Sequence, residues 1–192
     1  MADSFSFLQG SVQEVARRLL GCHLVREFAP GQRAVLKIVE TEAYHQTDAA
    51  SHSYKGRTPR TEVMFGPAGH LYVYFTYGMH YCMNIVTGAE GEGSAVLLRA
   101  LEPLQGEAFL QANRPGHHGV DVCNGPAKIC QALAIDKKWN GHDLHEPSLK
   151  LVVQNAVPAD QIIQTTRIGI TKARAVPWRF YLADNAYVSK LG

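Results

Sequence analysis

A chain of 192 residues that is 46% hydrophobic can bury one substantial core, and a net charge of only +2 excludes attachment to polyanions through a global positive field. Four cysteines with no CxxC pair exclude the ligand spacing of structural zinc modules, so reduced, buried thiols are expected. The opening Met1-Ala2-Asp3-Ser4-Phe5 has no basic start followed by an apolar run, and no stretch approaches the roughly 18 to 20 apolar residues of a membrane span, which predicts a cytoplasmic protein.

From Ser11 to Gly21 the apolar residues Val12, Val15, Ala16, Leu19 and Leu20 recur at helical spacing. Ser11 is placed as N-cap with Glu14 completing a capping box, and Gly21 marks the stop. Arg33 to Tyr44 is rich in β-formers and reads as a strand on which Glu40, Glu42 and Tyr44 share one face. His45 to Gly69 has no period and carries Gly56, Pro59, Gly66 and Pro67, so it is predicted to be a long loop with a helical turn near Thr61 to Met64; loops of that length tend to be functional or disordered. Leu71 to Tyr77 and His80 to Val86 read as a hairpin about Gly78-Met79. Ser94 to Ala100 reads as an apolar strand interrupted by Arg99. Helices are predicted over Leu104 to Asn113 and from Asn124 to about Ile135, the second with free N–H groups near Lys128. Short strands follow at Leu149 to Val153, Arg167 to Thr171 and Trp178 to Leu182. The whole predicts a single α+β domain over residues 1–192, with a curved, mainly antiparallel β-sheet and surrounding helices.

Several residues could carry chemistry. Glu42, in an apolar strand just before the loop, suits general-base work, but a carboxylate there could equally be paired with a lysine or arginine. Arg99 is the obvious partner, because an arginine within an apolar run is rarely buried alone; it would then be either a structural bridge or a group that tunes Glu42. Tyr44, Tyr72, Tyr74, Tyr77 and Tyr81 could stack on nucleobases or pack across strands. His52 could be a loop hydrogen-bonder. No HExxH, GxSxG, P-loop or dinucleotide fingerprint occurs.

Taken together, Glu40-Thr41-Glu42-Ala43-Tyr44, Ala50-Ser51-His52-Ser53, Gly56-Arg57-Thr58-Pro59-Arg60, Met64-Phe65-Gly66-Pro67, Tyr72-Val73-Tyr74, Tyr77-Gly78-Met79-His80-Tyr81-Cys82-Met83-Asn84, Leu97-Leu98-Arg99-Ala100-Leu101-Glu102-Pro103 and Gly125-Pro126-Ala127-Lys128 resemble the alkyladenine (3-methyladenine, or methylpurine) DNA glycosylases. The resemblance runs from about Val12 to Val188. It implies a monofunctional, base-flipping N-glycosylase of base excision repair, working on double-stranded DNA with damaged purines, without metal or organic cofactor, as a monomer that is nucleoid-associated if bacterial. On that resemblance Glu42 is the general base, with Arg99 and the backbone carbonyl of Ile168 helping to hold its water. Tyr44, His52 and Tyr74 are the walls for the flipped base, and Asn84 is the pocket residue that rejects the 2-amino group of guanine. Tyr77 is the wedge that fills the duplex, Met64 and Met79 lie against the groove, and Arg57, Arg60 and Lys128 meet phosphates. Two other readings remain open at the level of sequence: a stacking clamp for damaged or single-stranded nucleic acid, and a hydrolase of free nucleosides.

Overall fold

A computed structural model describes residues 5–76 and 78–191. In them α1 (Val12–Leu19), α2 (Glu107–Ala112) and α3 (Pro126–Ala132) accompany an open sheet of β1 (His23–Ala29), β2 (Gln32–His45), β3 (Leu71–Thr76), β4 (His80–Val86), β5 (Ser94–Gln105), β6 (Leu149–Val152), β7 (Ile162–Thr165) and β8 (Arg179–Leu182). The strand order is β3-β4-β5-β2-β1-β6, with the β7–β8 ribbon added to β2, and every pairing is antiparallel. This is the α+β architecture that the sequence predicts. All four cysteines are free and buried, as expected, and no helix of the described residues is long and apolar enough to cross a membrane.

The 14-residue β2 is the spine. β5 follows one of its edges from Val35 to His45, while the other edge is shared between β1 and, at Glu40 to Glu42, β8. Side chains alternate across the sheet. Leu71, Val73, Met83, Ile85, Val96 and Leu98 point to the face packed by α1 and α3, in one cluster with Val15, Leu19, Ile129 and Leu133. Burial of each such side chain is worth about 1.5–3 kcal/mol. The Thr41 hydroxyl adds a bond to the Ala16 carbonyl at 2.9 Å, which fixes α1 against β2. On the opposite face, Tyr72, Asn84, Leu97 and Glu42 stand directly across from one another in a single row over β3, β4, β5 and β2.

A bulge interrupts that ladder. Glu40 pairs with Ala100 and Thr41 with Leu98, so Arg99 is skipped, as is Val39 on β2. A bulged residue escapes the pleat and can be re-aimed, which lets the Arg99 guanidinium reach both Glu40 and Glu42.

Several boundaries differ from expectation for identifiable reasons. The α1 capping box is not made: the Ser11 hydroxyl donates to the Glu14 carboxylate at 2.5 Å, a charge-assisted bond, instead of accepting from the backbone. β5 continues through Pro103 to Gln105 because it still pairs with β2, so the helix expected at Leu104 starts only at Glu107. α3 ends at Ala132 rather than near Ile135, where Ala134 turns left-handed (φ 53°) and Ile135 N–H closes back on the Cys130 carbonyl. The loop from His45 to Gly69 contains two 3-10 turns, His52–Lys55 and Glu62–Phe65. Arg167 to Thr171 is not a strand, since the Arg167 side chain and the Ile168 N–H are both committed to carboxylates.

Gly106 makes the β5–α2 corner at φ 73°, and a Cβ there would run into the Arg33 carbonyl oxygen of β2. Gly106→Ala is therefore expected to lower the free energy of unfolding by about 1–3 kcal/mol, readable by urea denaturation.

Candidate active site

The row Tyr72, Asn84, Leu97 and Glu42 lines a cleft of about 650 Å³, together with the turn carrying His52 and the segment that begins at Ile168. Glu42 is fully buried at its base. Its Oε1 accepts the Ile168 N–H at 2.8 Å, its Oε2 accepts the Tyr44 hydroxyl at 2.8 Å, and Arg99 Nη1 stands 3.3 Å from Oε1. Each carboxylate oxygen keeps acceptor capacity beyond these bonds. Arg99 Nε is 3.4 Å from Glu40 Oε1 without hydrogen-bond geometry, so both its carboxylate contacts are electrostatic pairs, and its side chain stays available to the cleft.

Behind Glu42 the remaining buried charges are tied off. Glu40 accepts Arg179 Nη1 at 2.8 Å and the Ser189 N–H at 2.7 Å, which pins the distant segment around residue 189 to β2. Asp48 takes two bonds from Arg167, whose Nη1 also reaches the Ala43 carbonyl at 2.9 Å. The Arg167 guanidinium lies between the rings of Tyr44 (4.7 Å) and Trp178 (5.3 Å). One arginine thus fixes the end of β2, the loop that leads to His52 and the residue that precedes Ile168.

The walls are aromatic. Tyr72 and Tyr74 stack at 5.6 Å, and the His52 ring meets Tyr74 edge-on at 4.6 Å. His52 Nδ1 is 2.9 Å from the Tyr72 hydroxyl. His52 keeps a face open to the cleft although its ring is crowded on the other sides; that crowding, followed by the positive charge of Arg60, holds its pKa down at about 4. Burial foremost, with the charge of Glu42 in addition, pushes the Tyr44 phenol far above its ordinary range, and burial likewise raises Tyr74. At neutral pH the walls are therefore uncharged: a neutral imidazole and two protonated phenols. Such a slot accepts a flat, electron-poor or cationic ring and offers it a carboxylate at the base.

A model of the methylpurine-DNA glycosylase family matches residues 6–186. The chain belongs to the methylpurine-DNA glycosylase family. Relatives that each bear the description "Putative 3-methyladenine DNA glycosylase" include one from Carboxydothermus hydrogenoformans, 53% identical over 96% of both chains. Others come from Francisella tularensis subsp. tularensis, 47% identical over 92% of this chain and 93% of the relative, and from Methanoculleus marisnigri, 46% identical over 96% and 97%. Membership makes this chain a DNA glycosylase, an N-glycosyl hydrolase of DNA repair.

Of the residues singled out for such a methylpurine-DNA glycosylase, the cleft brings together Glu42, Tyr44, His52, Met64, Tyr74, Asn84, Arg99 and Ile168. Asn84 is anchored by its Nδ2, which donates to the Tyr72 carbonyl at 3.1 Å. Met64 is 2% exposed and packs among Phe65, Tyr72, Val86 and Ala95, under the cleft rather than on an outer groove surface. Met79 is 70% exposed at the hairpin tip. Tyr77 lies outside the described residues. Arg57 pairs with Glu62 at 2.9 Å, Arg60 stands 5.9 Å over Tyr74, and Lys128 is bound to Asp121 and, at 2.7 Å, to Asn124. Arg167, Arg179 and Asp48 were not singled out for the site. Arg179 sits between the apolar Trp178 and Phe180, the same signal that marks Arg99, whereas Arg167 follows Thr166 and carries no such signal.

Asp48→Ala would strand the buried Arg167 charge, with an expected loss of about 3–5 kcal/mol of stability, measurable by thermal or chemical unfolding. The His52 ring should titrate by NMR with a midpoint near 4 rather than 6.5. Because the fold holds that pKa down, its contribution to stability is complete above about pH 6.5 and declines as the pH falls toward 4.

Proposed function

We propose that this chain excises alkylated purines, 3-methyladenine among them, from double-stranded DNA by base flipping and hydrolysis, leaving an abasic site. What carries the reading is Glu42: a fully buried carboxylate at the foot of an aromatic slot, with each oxygen held by a separate donor. A base within a duplex cannot reach such a group, so the damaged nucleotide must leave the stack before reaction.

In this mechanism the base lies between Tyr44, His52 and Tyr74. Methylation at N3 or N7 makes the purine cationic, so aromatic faces attract it and the neutral His52 does not repel it. The C1′–N9 bond breaks, its electron pair neutralises the departing purine, a water oxygen bonds to C1′, and Glu42 takes the water's proton. Arg99 and the Ile168 carbonyl orient that water. The lesion supplies its own positive charge, so no general acid is needed for this substrate. Asn84, fixed by Tyr72 in the floor, stands where a 2-amino group would have to fit and discriminates against guanine. Exposed Met79, with Tyr77 two residues before it in the sequence, takes the hairpin tip to the minor groove.

Glu42→Gln keeps the volume and an acceptor but cannot take the proton. It should reduce release of 3-methyladenine from methylated DNA by about 10²- to 10⁴-fold while lesion binding persists. Turnover at the wild-type rate would refute the role given to Glu42.

A further inference from the structure

The resemblance assigns phosphates to Arg57, Arg60 and Lys128, yet the fold already uses two of these cations: Arg57 faces Glu62, and Lys128 is enclosed by Asp121 and Asn124. The Lys128 arrangement is the tighter one, because Asp121 also contacts His117, and the bonds from Lys128 and His117 hold the Asp121 carboxyl down at about pKa 2. Lys128 therefore meets DNA with its charge countered.

Two other lysines are placed differently. Lys55 closes the 3-10 turn that begins at His52, and Lys172 lies four residues beyond Ile168; both are exposed and both line the cleft. Neither side chain has a hydrogen bond or ion pair with any described residue. Among the described residues Glu42 is the one carboxylate that lines the cleft, and Arg99 stands against it, so the two lysines are charge in excess of internal needs. They also belong to two separate segments that line the cleft, the turn at His52 and the stretch that begins at Ile168. A nucleotide whose base reaches the floor still has its sugar attached to the backbone, which must run across the rim with a phosphate on each side.

We propose that Lys55 and Lys172 are the phosphate-binding pair of this cleft, gripping the backbone phosphates that flank the flipped nucleotide, and that Lys128 serves the fold instead. The inference rests on the base-flipping reading above. A lysine suits the task because it acts as a mobile point charge and needs no fixed fork geometry. Such contacts release counterions and add to binding without entering the chemical step.

The test measures affinity for a duplex with one tetrahydrofuran abasic site as a function of salt, for wild type, Lys55→Ala, Lys172→Ala, the double variant, Lys128→Ala, and Lys150→Ala on β6 at the far edge of the sheet. Each of the first two should flatten the slope of log K against log salt by about 0.9, and the double variant by about twice that. Lys128→Ala and Lys150→Ala should keep the wild-type slope. A wild-type slope in either lysine variant, or an equal flattening in Lys128→Ala or Lys150→Ala, would overturn the pair. The broader functional reading fails separately, if wild-type protein releases no purine from methylated DNA.

Discussion

The buried carboxylates Glu40, Glu42 and Asp48, and three of the five arginines buried among the described residues, Arg99, Arg167 and Arg179, set the terms for the rest of this molecule. Each acid would be costly to bury alone, and each is matched by an arginine that arrives from elsewhere in the chain. The pairing is unequal in a way that separates structure from chemistry. Glu40 and Asp48 receive direct arginine hydrogen bonds, whereas the contact of Glu42 with Arg99 is a looser electrostatic one supplemented by an amide and a phenol. The acid that faces the cleft is thus the one whose closest partners are neutral donors.

The same web explains why the aromatic slot is rigid. Tyr44 is held at its hydroxyl by Glu42 and across its ring by Arg167, and His52 is held by Tyr72, whose own strand is locked to Asn84. Little side-chain freedom remains to be lost when a planar ligand enters, which is the sense in which the site is preorganised.

Local signals in the sequence revealed much of this. The alternation of Glu40, Glu42 and Tyr44 gave their common face, the hairpin about Gly78-Met79 gave β3 and β4, and the misfit of Arg99 in an apolar run pointed to a buried acid. What stayed hidden depended on distant partners. Arg167 looked like the start of a strand because its partner, Asp48, is 119 positions away, and Lys128 looked free because Asp121 comes back to it only in three dimensions. The bulge at Arg99 was likewise invisible, since a register shift is a property of two strands and neither strand's pattern records it alone.

The bond from Ser189 N–H to Glu40 spans 149 positions of sequence, and that from Ile168 to Glu42 spans 126. During synthesis, at about 5–20 residues per second, β2 waits roughly 7 to 30 seconds for the backbone donor that completes the coordination of Glu40. Over that interval its central acids have to remain hydrated, which delays closure of the sheet over them. The cleft is consequently one of the last features to form on a nascent chain, and an incomplete polypeptide carries the slot's aromatic residues without the carboxylate geometry that assembles them into a cleft.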